Sequence, residues 1–216
     1  MKASVATLPT VGRSPGARLF RAAWLAILLG IALEIVALIF ARSFGTLKVG
    51  RPVVADLVQK TSWSLFVCVG VAFGTAVARG RAAIGGLIGL IAGPAAFQGA
   101  RIVHKSVAEA LALSAAAAPG PSPLLLGALK GIEYGALGAF LAWLGRQPRR
   151  SASDYVFGGL ACGIVCAGAV AVLVIMGSPA IPAAAALVPR LANELLHPIG
   201  CALVVYAAEL LPSRLN

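Results

Sequence analysis

The chain has 216 residues, 60% of them hydrophobic and only 12% charged, with a mean hydropathy of +0.94. A water-soluble domain carries about 25% charged residues, so composition excludes a soluble globule for want of polar surface. The net charge of +11 does not signal nucleic-acid binding. Lys and Arg fall in ones to threes at the ends of apolar runs, where lipid head groups meet them, and are not gathered on one soluble face.

Residues 1–19 read as a basic, mobile tail rich in Ser, Thr, Pro and Gly. The apolar run 22–41 that follows is longer than the 7–15 residues of a signal-peptide core, and no convincing small-x-small cleavage site follows it, so it reads as an uncleaved first span. Six spans, each near the ~20 residues that cross ~30 Å of hydrocarbon, are predicted at 20–42, 60–79, 82–104, 124–145, 155–177 and 191–212. Residues 213–216 form a short tail. The breaks carry turn and charge punctuation: Arg79-Gly80-Arg81, the stretch from Pro119 to Pro123, residues 146–153, and the stretch from Gly177 to Pro182. Residues 43–59, with Gly45, Gly50 and Arg51-Pro52, read as a loop or a short interfacial helix. The Ala-, Leu- and Glu-containing stretch 105–118 reads as a continuation of the third helix. The expected fold is all-α, a polytopic helical bundle in one transmembrane domain over 20–212.

Placing the N-terminus inside puts ten Lys and Arg residues on the cytoplasmic side (Lys2, Arg13, Arg18, Arg21, Arg79, Arg81, Arg146, Arg149, Arg150, Arg214) against eight elsewhere. Both termini are therefore expected in the cytoplasm, with the bacterial inner membrane as the location. Trp24, Trp143 and Tyr155 then fall at the inner interface and Trp63 at the outer one, as an aromatic belt.

Three helices open with polar stripes: Lys60-Ser64-Cys68, Lys130-Glu133-Tyr134 and Asn193-Glu194-His197-Cys201. Such groups are costly in a bilayer and face one another or a water-filled cavity. In the expected topology helices two, four and six descend from the outer face, so the stripes share a depth with Glu34 of the first span and Gln98, Arg101, His104 and Lys105 of the third. The candidate pocket comprises Glu34, Lys60, Gln98, Arg101, Lys130, Glu133, Tyr134, Asn193, Glu194 and His197. Its expected ion pairs join Arg101 or Lys130 to Glu34 or Glu133.

The segments leading into the three stripes echo one another. Lys60 to Lys130 is 70 residues and Lys130 to Asn193 is 63, which suggests three degenerate helical hairpins. Gly85-x3-Gly89-x3-Gly93, Gly70-x3-Gly74 and Gly159-x3-Gly163 mark faces for close helix packing. Pro94 is expected to kink the third helix next to the pocket.

Cofactor signals are weak. Cys162-x3-Cys166 is neither a redox nor a zinc spacing, and the four cysteines read as small hydrophobes. His104 and His197 are the candidates for a shared haem or metal. Glu194-x2-His197 has the spacing of a di-iron ligand pair, but no second such motif exists. No metal or cofactor is predicted, and G-x-S-x-G, P-loop and Rossmann signatures are absent.

The order of a Lys-bearing helix, then Gly131-Ile132-Glu133-Tyr134-Gly135, then His197 early in a late helix resembles the PrsW and CAAX-type intramembrane protease superfamily in three short patches. Where those families carry paired glutamates, this chain has only Asp56-x3-Lys60, so the resemblance implies at most a degenerate relative without its catalytic acids. The leading expectation is a transporter or channel-like protein with an outer-leaflet pocket for a polar or anionic solute or ion. The alternative is a non-catalytic subunit or assembly factor whose glycine-rich faces dock other membrane subunits or a second copy. A degenerate intramembrane protease stands third. The bilayer is the partner expected in every case.

Overall fold

The computed structural model describes residues 15–47, 49–113, 121–178 and 182–211. It is all-helical over these residues: α1 (Pro15–Ser43), α2 (Arg51–Ala78), α3 (Ala82–Ala110), α4 (Pro123–Leu144), α5 (Ala152–Met176) and α6 (Ala184–Leu210). All six are long and apolar enough to cross a membrane. The protein is a polytopic helical membrane bundle. Its outer surface is apolar, with Trp24, Leu28, Ile91, Phe157 and Val165 all more than half exposed, as contact with lipid requires.

Three helices start earlier than the apolar runs suggest. α1 begins at Pro15 and α2 at Arg51 with Pro52 in its first turn. Proline at the first helical positions lacks only an amide that would be unpaired anyway. Residues 51–59 are therefore helix, not loop; Arg51 and Asp56 are exposed there. α6 begins at Ala184 and continues through Pro189 and Pro198. α3 runs through Pro94 without a break and ends at Ala110, so helix covers only the first part of 105–118; residues 114–118 lie outside the described set, as do 1–14 and 213–216 of the two tails.

Neighbours in sequence are neighbours in space, and α6 returns to pack on α1, closing a ring. The even-numbered helices α2, α4 and α6 also touch one another across the interior. Each hairpin thus contributes one peripheral and one central helix, the arrangement that three hairpin units would build. The central helices run parallel. Lys60, Lys130 and Glu194 meet near their starts, while Thr75, Gly145 and Glu209 line a common cavity near their ends.

The glycine stripes are consumed inside the chain. A side chain at Gly89 would run into the Tyr134 carbonyl, and one at Gly93 into the Lys130 carbonyl. Gly70 and Gly74 face Ala92 and Ile88 of α3, while Gly159 and Gly163 face Ile199 and Leu195 of α6. These contacts gain dispersion energy between backbones. They also remove the faces that the subunit reading needed for docking partners.

Candidate functional site

Because the even helices are parallel, their polar stripes lie side by side at one end of the bundle. Between them is a cavity of about 200 Å3 lined by Gln59, Lys60, Trp63, Phe97, Ala100, Lys130, Asn193, Glu194 and His197. Lys130 is its electrostatic centre. The Lys130 ammonium donates to Glu133 Oε2 at 2.6 Å and to Glu194, and its side chain is only 8% exposed. Glu133 comes from the turn below Lys130, and Glu194 from α6, so the pairs tie α4 to α6. The Glu133 side chain is fully buried, and its second oxygen, Oε1, has no hydrogen-bond partner among the described residues.

A second ion pair joins Lys60 of α2 to Glu34 of α1, whose carboxylate is buried mid-helix. Glu34 is thus neutralised by Lys60 and not by Arg101 or Lys130. Two ammonium groups face three carboxylates across the site, and unpairing any of them leaves a buried charge.

Beneath the ions lies a buried polar chain. Tyr134 Oη is 2.5 Å from His197 Nδ1, and Ser64 Oγ is 3.0 Å from His197 Nε2. In either neutral tautomer one ring nitrogen donates and the other accepts, and both hydroxyls can take the complementary role. Trp63 covers this chain, its ring centroid 5.4 Å from His197 and 5.6 Å from Tyr134. The Lys130 Nζ lies 5.8 Å from the Trp63 ring centroid, within cation–π range.

Of the residues expected here, Lys60, Lys130, Asn193, Glu194 and His197 line the cavity, with Glu34, Glu133 and Tyr134 directly behind. Gln98 and Arg101 do not join them. Both are exposed, and the Arg101 guanidinium instead lies 5.7 Å from the centroid of the Phe97 ring. They sit roughly 200° and 140° round the helix from the buried Ala96. His104 also faces away and pairs with Asp56 at 3.5 Å, so it shares nothing with His197. Both ring nitrogens of His197 are occupied, and no group of three or more His, Cys, Asp or Glu among the described residues is placed to hold a metal. Asp56, which stands where the intramembrane proteases carry their acids, is exposed beside His104 and is absent from the cavity lining.

Trp63 and Phe97 were missing from the expected set. Trp63 reads as an interface residue by type, yet it lies three positions after Lys60 and hence on the same helical face. That spacing was the available signal. Tyr155 is likewise interior, fully buried against Tyr206 with centroids 4.8 Å apart. Below the cavity, Val67, Val71, Leu137 and Val205 fill the interior together with the buried Cys68 and Cys201.

The other end of the bundle has its own polar cluster. Arg18 donates to Thr75 Oγ1 at 2.6 Å and to Glu209 Oε1 at 2.5 Å, while Arg150 and the Tyr155 hydroxyl reach Glu209 Oε2 at 3.1 and 3.2 Å. No spacing rule connects Arg18 with Glu209, which are 191 residues apart.

Fold and site together define a polytopic helical membrane protein with a charged cavity inside the bundle. No known protein-family model, curated protein or solved structure matches the chain.

Proposed function

We propose that the protein is a small transporter or channel-like protein whose Lys130 cavity takes a proton or a small cationic or polar solute. The observation that carries this reading is the charge balance. Glu34, Glu133 and Glu194 outnumber Lys60 and Lys130 by one, and Glu34, Glu133 and Lys130 are buried, so a bound cation or proton completes the neutrality that buried charges favour. The same count argues against an anionic solute, which would add a second uncompensated negative charge. The volume of about 200 Å3 is below the 300–1,000 Å3 usual for drug-sized ligands, and the Trp63 and Phe97 walls suit a cation.

In this reading Glu194 and Glu133 are the coupling acids, and Lys130 holds them together when the cavity is empty. The Tyr134–His197–Ser64 chain extends hydrogen bonding from the cavity toward the apolar interior. The Val67–Leu137–Val205 packing is the barrier that alternating access opens. The Lys60 end is assigned to the outer leaflet of a bacterial inner membrane, with both termini in the cytoplasm, from the Lys and Arg distribution.

The test is reconstitution into liposomes containing a pH-sensitive dye, with a potassium diffusion potential, followed by a panel of small monovalent cations and amines. Proton or cation flux is expected in the wild type, and at least a tenfold loss in Glu194→Gln and Glu133→Gln. Flux equal in wild type, both variants and empty vesicles would sink the proposal.

A further inference from the structure

At the Arg18 end the charge balance is reversed. A cavity of about 340 Å3 is lined by Arg18, Arg21, Arg79 and Arg150, with Glu209 the one carboxylate among its described lining residues. Four guanidinium groups against one carboxylate leave three positive charges in surplus. The donors are also underused. Arg18 spends Nη2 on Thr75 and Glu209, and Arg21 spends Nη1 on the Leu211 carbonyl. The Nε of each is buried and without a hydrogen-bond partner among the described residues. Buried donors left unpaired are rare and call for an acceptor.

We propose that this cavity is a binding site for a phosphate group. A guanidinium fork matches phosphate oxygens two at a time, and several forks converging on one hollow suit an anion with three or four acceptor oxygens. The location favours the phosphate of an anionic lipid. Trp24, exposed on the same helix, lies six residues beyond Arg18, roughly 9 Å along the axis. An aromatic residue anchored at the interface places the arginines at head-group depth. Basic pockets between membrane helices hold anionic head groups in this way. A soluble phosphate presents the same chemistry, and the experiment separates the two sources.

The full-length protein, purified in an uncharged detergent, is offered phosphatidylglycerol or phosphatidylcholine and examined by native mass spectrometry. In parallel, its thermal midpoint is followed in inorganic phosphate and in chloride at matched ionic strength. Preferential retention of phosphatidylglycerol by tenfold or more assigns a lipid head group. A phosphate-dependent rise in midpoint without lipid preference assigns the free ion. Each is expected to fall about tenfold in Arg79→Ala, the loss of one charge-assisted contact. Arg79 is exposed, so this variant keeps the packing that Arg18→Ala would disturb; Arg21→Ala serves as its replicate. Equal retention of the two lipids together with no phosphate response overturns the proposal. So does undiminished binding in both variants, since that would place the anion elsewhere.

Discussion

The two ends of the bundle solve the problem of charge in a membrane in opposite ways. At the Lys60 end, two cations and three carboxylates, Glu34 from α1 and the others from the central helices, are paired one with another. At the Arg18 end, four arginines crowd around one carboxylate, with Arg79 and Arg150 exposed. Lys60 to Thr75 on α2 and Glu194 to Glu209 on α6 both span 15 residues, roughly 22 Å of helix rise. The two clusters therefore sit at opposite sides of an apolar layer somewhat thinner than ~30 Å of hydrocarbon. A balanced cluster can lie deep, because its members neutralise one another. An unbalanced one has to remain near the head groups, where water and counter-ions screen it. The contrast implies that removing a cation should have opposite consequences at the two ends.

The largest effect is expected from Lys130→Met. It leaves Glu133 and Glu194 facing each other without a cation and should cost about 3–5 kcal/mol, the usual range for breaking a buried pair. Unfolding in mixed micelles measures it, and adding Glu133→Gln should recover part of the loss. If the single variant were as stable as wild type, the deep cluster would not be held by charge balance. Next comes Glu209→Gln, which removes the negative charge, and one of the two acceptor oxygens, that Arg18, Arg150 and Tyr155 share. A loss of about 1.5–3 kcal/mol is expected for charged hydrogen bonds, eased by high salt because the cluster is partly exposed. The Lys130→Met loss should respond to salt far less.

A smaller change, about 1 kcal/mol, is expected for Tyr134→Phe, which removes one partner of His197 but keeps the ring packing. Its imidazole signals in a nitrogen NMR spectrum should shift, since Nδ1 then lacks its hydroxyl. The smallest effect belongs to Arg79→Gln. Taking one cation from the surplus end should change stability by no more than about 0.5 kcal/mol, and in the direction of gain. A clear loss there would mean that the basic end is as tightly balanced as the other.

Much of the balanced site is legible in the sequence. Lys60, Lys130, Glu194 and His197 stand out because charged groups inside apolar helices are expensive, and their positions near the starts of alternate spans put them at one depth. Gln98 and Arg101 mislead because depth is only one coordinate; rotation about the α3 axis turns them away. The basic end is nearly illegible. Arg18 reads as tail and Tyr155 as an interface aromatic, and Glu209 has no place in any sequence motif. Only the packing of α6 onto both α1 and α5 brings these residues together.

The number of spans and the all-helical class follow from the sequence alone, because a backbone in hydrocarbon must satisfy its own hydrogen bonds and six apolar runs of sufficient length allow only helices. The glycine spacing likewise determines that some faces pack closely. Which faces meet, and so which charges pair, was decided by the tertiary structure. The Gly85–Gly89–Gly93 stripe seats α3 directly on the α4 backbone, and that contact sets the rotation of α3. Packing of α1 on α2 then gives Lys60 to Glu34, the approach of α6 to α4 adds Glu194 to the local Lys130–Glu133 pair, and ring closure brings arginines from three separate parts of the chain to one cavity. Pairing between distant helices depends on axial rotation and ring closure, which no local spacing encodes.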